Sequence, residues 1–246
     1  MVQPIQKLLS QSQALIKHYF LMKHIVLTGI SGNLGKDLAA YFISAGHRVT
    51  GIWSPGKLPA DKKDSGFEAD LRNETDTAGC IRRIRDTFGP IDIVLAVAGG
   101  FESGTLNETN LESLKKMIAL NFDTAWNVVR PVLELMKKDS VRRRIVLIGA
   151  RPAFDPERGK SMVAYALSKS LLNDFAAIVN ADSGSSGIVC SVLAPGTIDT
   201  PSNRAWAGDS DTSSWVTTDE IARAIEFLTG PEGDKLRTPV LKLYGD

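Results

Sequence analysis

Two hydrophobic periods alternate along this chain. Ile25, Val26 and Leu27 form a short apolar run that stops at Thr28-Gly29, and beyond the turn Leu34, Leu38, Tyr41 and Phe42 recur at helical spacing to about Ser44. A buried strand that turns straight into a helix has this pattern. Ala45-Gly46 ends the helix, and a second strand is expected over 48–53. A short strand at 67–71, a helix at 75–88 closed by Gly89-Pro90, and a nearly unbroken apolar run at 91–100 continue the alternation. The last of these suits a central strand covered on both faces. Helical spacing returns over 111–136 and 165–180, with a strand at 144–148 between them. A strand at 187–194, a helix at 218–229 and a strand at 240–244 complete the series. Seven strands in this alternation predict an α/β fold: a single doubly wound seven-stranded parallel sheet with helices on both faces and its ligand beyond the carboxyl ends of the strands.

Composition narrows the function classes. With 246 residues, 43% of them hydrophobic, the chain can bury one substantial core, and one domain is expected over 22–246. Lysine and arginine total 29 against 28 acids, so no net field favours nucleic acid or an anionic membrane. Arg82-Arg83-Arg85 and Arg142-Arg143-Arg144 are local exceptions, read as a solvated helix end and a solvated pre-strand turn. Cys80 and Cys190 are far apart, and with His18, His24 and His47 they form no ligand spacing, so no metal is expected. No apolar run reaches membrane-spanning length and the N-terminus lacks the order of a secretory signal, which makes the cytoplasm the expected location. Residues 1–21 are expected to be an N-terminal extension, either a short amphipathic helix or non-native sequence upstream of Met22.

The first turn carries candidate chemistry. Around Thr28, Gly29, Ser31, Gly32, Asn33, Leu34 and Gly35 the missing Cβ atoms let a pyrophosphate approach backbone amides and the positive end of the following helix. Dinucleotide sites commonly place an acid about twenty residues further on, where it grips the ribose hydroxyls. Here the corresponding stretch is Trp53-Ser54-Pro55-Gly56-Lys57, without an acid. Ser54 and Lys57 could take a 2′-phosphate, so NADP is the expected cofactor and NAD the alternative; the plainer reading of Lys57 is a solvated loop residue. Asp70, followed by Leu71, could accept from an adenine amino group or cap the next turn. Ala98-Gly99 keeps the backbone bare at the end of the central strand. Tyr165 and Lys169 lie four residues apart on one helical face, where an ammonium would lower the phenol pKa and prepare it for proton transfer.

Each signal alone is common, but their order is not. Thr28-Gly29-x-x-Gly32-x-x-Gly35, Asp70-Leu71, Ala98-Gly99, Asn121, Tyr165-x-x-x-Lys169 and Pro195-Gly196-Thr197-Ile198-Asp199-Thr200 resemble, in order and spacing, the short-chain dehydrogenase/reductase family from Lys23 to Gly245. The resemblance implies a Rossmann fold, a nicotinamide cofactor, a catalytic Tyr165, a Lys169 that also holds the nicotinamide ribose, and an Asn121 that supports a proton relay through water. It implies further cofactor contacts from Pro195, Gly196, Thr197, Ile198 and Thr200, and pairing of the two long helices with a second copy in a homodimer or homotetramer.

One departure stands out. Family members that reduce ketones usually carry a serine just after the fifth strand, and Ala150 occupies that position. Ser161, on a loop, is a candidate substitute, whereas Ser168 is expected to point elsewhere on the tyrosine helix. Val97-Ala98-Gly99-Gly100-Phe101 and the Ala150 strand end resemble the dihydropteridine reductase branch, which manages without the serine. The expected activity is hydride transfer to a small carbonyl, quinonoid or pterin-like acceptor, with Phe101, Phe154 or Trp206 stacking on a flat ring beside Ala150 and a loop over 200–217 closing the pocket. The alternatives are a dihydropteridine reductase proper and a catalytically inactive NAD(P)-binding regulatory or scaffold protein.

Overall fold

The computed structural model describes residues 22–138, 142–184, 186–208, 211–233, 235–236 and 240–244. The expected extension over 1–21 lies outside them, as do parts of the 200–217 loop and Gly245. Strands β1 (His24–Thr28), β2 (Arg48–Trp53), β3 (Gly66–Glu68), β4 (Ile93–Ala96), β5 (Arg143–Ile148), β6 (Ile188–Pro195) and β9 (Val240–Leu243) form one sheet in the order β3-β2-β1-β4-β5-β6-β9. All six pairings are parallel. Alternate strand residues face opposite layers. Val26, Ile145 and Leu147 pack against the helices Glu74–Phe88, Thr124–Met136 and Val163–Ser183. Ile25, Leu27, Val146 and Ile148 pack against Asn33–Ser44 and Thr218–Thr229. The sheet is therefore doubly wound, and its order reverses between β1 and β4, the place where such sheets open a crevice.

Three elements differ from expectation for local reasons. The apolar run 91–100 is strand only over Ile93–Ala96, because the amides of Val97 and Ala98 leave the ladder and both donate to Thr28 Oγ1 at 3.0 Å. The helix expected over 111–136 is broken: Leu111–Ile118 and Thr124–Met136 flank a π turn at Ala119–Asp123, and Thr124 Oγ1 donates to the Leu120 carbonyl at 2.8 Å. The turn expected at Arg142-Arg143-Arg144 is solvated only at Arg142. β5 already begins at Arg143, whose Nη1 donates to Asp92 Oδ1 at 2.7 Å, while Arg144 Nη1 donates to the carbonyls of Arg143 and Gly187.

His24 opens β1 with both ring nitrogens engaged, Nδ1 3.0 Å from the Pro90 carbonyl and Nε2 2.9 Å from Thr50 Oγ1. A carbonyl can only accept, so Nδ1 carries the proton and Nε2 accepts from the threonine, an arrangement that suits the neutral ring. Burial holds this histidine below its ordinary 6.5. The unfolded chain therefore binds the extra proton first as pH falls, and stability present above 6.5 is lost progressively below it. Urea unfolding between pH 8 and pH 5 is expected to record this loss, and His24→Gln should flatten that part of the profile.

Candidate active site

The turn after β1 is built from backbone. Gly29 has φ +66°, and a Cβ on Gly35 would sit 2.2 Å from the Gly29 carbonyl oxygen, so both positions exclude a side chain. No side chain caps the helix Asn33–Ser44 and no acid lies in its first turn. The first-turn amides of Asn33, Leu34 and Gly35 thus meet the turn with the positive helix end, a cradle that fits a pyrophosphate. Gly32 is conformationally ordinary at φ −78°, and Ser31 is exposed. Thr28 was expected in the same cradle; its oxygen is instead the bracket that receives the Val97 and Ala98 amides. Asn33 Nδ2 reaches across to donate to Ser202 Oγ at 2.9 Å.

Just beyond β2, Ser54 and Lys57 are the exposed corners of a turn closed by Lys57 N–H on the Ser54 carbonyl at 3.0 Å. Next to it, Ala69 N–H donates to the Trp53 carbonyl, which brings Asp70 beside that turn. Asp70 caps the turn that follows it, while the N-cap of the helix beyond is Asn73. Its carboxylate accepts from the Arg72 amide at 3.1 Å and from Arg72 Nε and Nη2 at 3.0 and 3.1 Å, which holds it below the usual carboxylate range. Leu71 is half-buried, and its carbonyl accepts from Asn127 Nδ2.

Beyond β4 and β5, Asn121, Tyr165 and Lys169 gather around Gly99 to Phe101. A Cβ on Gly99 would lie 2.5 Å from Asn121 Oδ1 and 3.3 Å from Lys169 Nζ, so the bare backbone is what lets both side chains approach. Asn121 Oδ1 accepts from Gly100 N–H at 2.9 Å, and its Nδ2 donates to the Gly100 carbonyl at 3.1 Å and to Ser168 Oγ at 3.0 Å. Lys169 Nζ donates to the Ile148 carbonyl at 2.8 Å and stands 6.0 Å from the Tyr165 ring centre. Phe101 meets the Tyr165 ring edge-on, centres 5.1 Å apart. The pairing of Lys169 with Tyr165 does not depress the phenol here. Burial dominates both groups, pushing Tyr165 up to about 12 and Lys169 down to about 8.

The remaining expected residues divide. Ala150 is buried at the end of β5, with no hydroxyl. Ser161 is exposed and its Oγ donates to the Arg158 carbonyl, whereas Ser168, expected to point elsewhere, is fully buried on Asn121. Gly196 N–H donates to the Leu243 carbonyl, and the Thr197 carbonyl accepts from Val216 N–H. Ile198–Asp199 (β7) pairs with Val216–Thr217 (β8), pinning the base of the loop. Thr200 Oγ1 caps the helix Pro201–Ala207, which carries Trp206 with 82% of its surface exposed. Phe154 stands apart: it lines an apolar pocket of about 420 Å³ against Val163, Ala166 and Leu167, under the Lys242 ammonium, and that pocket includes neither Tyr165 nor Ala150. The sequence carried no sign of Ser202 as the partner of Asn33, since 169 residues separate them. Arg72 could have been noticed from its place two residues after Asp70.

Sheet order and the uncapped turn at the reversal make this a Rossmann fold. The narrower assignment comes from a family model described as short chain dehydrogenase, which matches residues 23–211. The chain belongs to the short-chain dehydrogenase/reductase family of oxidoreductases. It is 26% identical over 210 residues to a dihydropteridine reductase of Dictyostelium discoideum, covering 82% of this chain and 86% of that protein. It is 25% identical over 245 residues to a 2-(R)-hydroxypropyl-CoM dehydrogenase of Xanthobacter autotrophicus, covering 89% and 96%. A blue fluorescent protein from a metagenomic library, solved in complex with NADPH, shares the fold with a TM-score of 0.74 at 22% identity over 89% of this chain and 95% of that one.

Proposed function

We propose that this chain is an NAD(P)H-dependent reductase, with NADPH the expected donor, acting on a quinonoid, pterin-like or small carbonyl acceptor. The observation that carries the reading is the approach of Lys169 and Asn121 to the bare backbone at Gly99 and of Tyr165 to Phe101 two residues on, beside a strand end that offers Ala150 in place of a hydroxyl. When bound, the nicotinamide supplies the hydride. The turn at Gly29 to Gly35 holds the phosphates, and Lys169 and the 195–200 segment hold the nicotinamide end. Tyr165, at about 12, keeps its proton throughout the neutral range and is therefore the acid that delivers it to the reduced substrate. Both side-chain donors of Asn121 are committed to Gly100 and Ser168, so its support for a water relay runs through the main chain of the π turn. Phe101 forms an aromatic wall on Tyr165.

The acceptor class follows from what Ala150 omits. A simple ketone concentrates charge on one oxygen and benefits from a donor there; a conjugated quinonoid ring spreads it. The dihydropteridine reductase likeness supports the second class. Stopped-flow oxidation of bound NADPH by a panel of ketones, quinones and quinonoid dihydropterins tests the reading. Fastest oxidation by the conjugated acceptors is expected, and no oxidation by any member would favour the non-catalytic nucleotide-binding alternative that Ala150 motivates. Ala150→Ser is expected to raise kcat/KM for simple ketones by roughly tenfold while leaving the conjugated acceptors little changed. Trp126, Leu167, Leu171 and Ile178, exposed on the two long helices, support assembly with a second copy.

A further inference from the structure

We propose that Ser168 is a positioning residue for proton transfer: its hydroxyl ties the asparagine of one helix to the tyrosine turn of another and so sets where both groups stand. The inference rests on the reductase reading above and adds a residue to it. Ser168 is fully buried and out of reach of any substrate, so it acts only through its neighbours. A hydroxyl has one proton to give. Ser168 Oγ–H gives it to the Tyr165 carbonyl at 2.8 Å, which leaves the oxygen as acceptor for Asn121 Nδ2 at 3.0 Å. That choice fixes which way round the Asn121 amide lies. The second Nδ2 hydrogen goes to the Gly100 carbonyl, and Oδ1 receives the Gly100 amide.

The consequence spreads in two directions. Through Gly100 the amide sets the path of the segment that carries Gly99, against Lys169 Nζ, and Phe101, against the Tyr165 ring. The Asn121 backbone itself lies in the π turn, where the helical i→i−4 ladder is already interrupted. With Ser168→Ala, one Asn121 N–H faces only Met117 Sδ at 4.0 Å, too long and weak to replace a hydroxyl. The amide then turns to find another partner, and Gly100 and the π turn move with it. Ser168→Thr keeps the oxygen at the same place.

Two measurements test this. In steady-state reduction, Ser168→Ala is expected to lower kcat about tenfold with acceptor KM and NADPH Kd held within about twofold, to enlarge the solvent isotope effect on kcat, and Ser168→Thr to recover most of the loss. In 15N–1H spectra of the cofactor-free protein, the Asn121 side-chain amide pair, identified by its loss in Asn121→Ser, is expected to be protected from exchange in the wild type and to shift and exchange faster in Ser168→Ala. An unmoved Asn121 amide, an unchanged kcat, or a parallel collapse of kcat, KM and Kd in both variants overturns the proposal. A wild-type chain that oxidises no NADPH removes the reductase reading, and the amide spectra then decide the positional claim without it.

Discussion

Replacing Tyr165 by phenylalanine is expected to lower reductive turnover by roughly 10²- to 10⁴-fold, the range a positioned proton donor contributes, while NADPH binding stays near wild type. The ring survives the change, with its edge contact to Phe101 and its place near Lys169; only the hydroxyl, and the proton it carries, is gone. Kd for NADPH from nucleotide fluorescence and kcat from acceptor-dependent oxidation separate the two effects, and unchanged turnover would remove Tyr165 from the chemistry. The pH profile adds an independent handle. Burial brings Lys169 down to about 8, so its ammonium is complete below that pH and is lost above it. Tyr165, at about 12, stays protonated across the same range. Reductive kcat should therefore be level below pH 8 and decline above it, the limb belonging to the lysine and not to the phenol.

Gly35→Ala is expected to abolish nucleotide binding and to destabilise the fold by about 2 kcal/mol, the usual cost of forcing atoms into a filled space. The added methyl would stand 2.2 Å from the Gly29 oxygen and 2.8 Å from the Gly29 carbonyl carbon and the Ile30 Cα, all backbone atoms of the cradle, so relief requires moving the cradle itself. Gly32→Ala is the matched comparison. Its methyl would come no closer than 3.4 Å to the same oxygen, at an ordinary φ, so the expected cost is only that of a poorer N-cap, about 1 kcal/mol, without displacing the cradle. Urea unfolding measures the first difference. Thermal unfolding with and without NADPH measures the second: the nucleotide should raise the transition of the wild type and leave that of Gly35→Ala where it was.

The sheet was legible because a parallel strand covered on both faces leaves a continuous apolar signature, and because glycines and prolines mark its crossovers. The helices 33–44 and 218–229 end where their patterns end. Misreadings arose where a distant side chain outbids the local pattern. Thr28 takes two amides away from the 91–100 run; Asp92 draws Arg143 inside; a single amide on Asn121 accompanies a π turn in what reads as one uninterrupted helix. Asn121, Tyr165 and Lys169 gather around Gly99 to Phe101, yet their electrostatics did not follow from spacing. A spacing of four between tyrosine and lysine says that the two share a face; it does not say how deeply each is buried, and burial decides which way each is shifted. Ser168 points away from the pocket as expected, but its partner was not legible, since Asn121 lies 47 residues away on another helix.

The contact between Asn33 and Ser202 joins the glycine turn to the short helix beyond β7 by an exposed bond. Anything that entered between those two elements would first have to part them. A solvent-facing bond of this type is worth on the order of 1 kcal/mol, so parting the crossing costs little and nothing beyond that bond is needed to close it again. If the glycine turn takes a nucleotide as proposed, this contact would be a door shut on average and never locked.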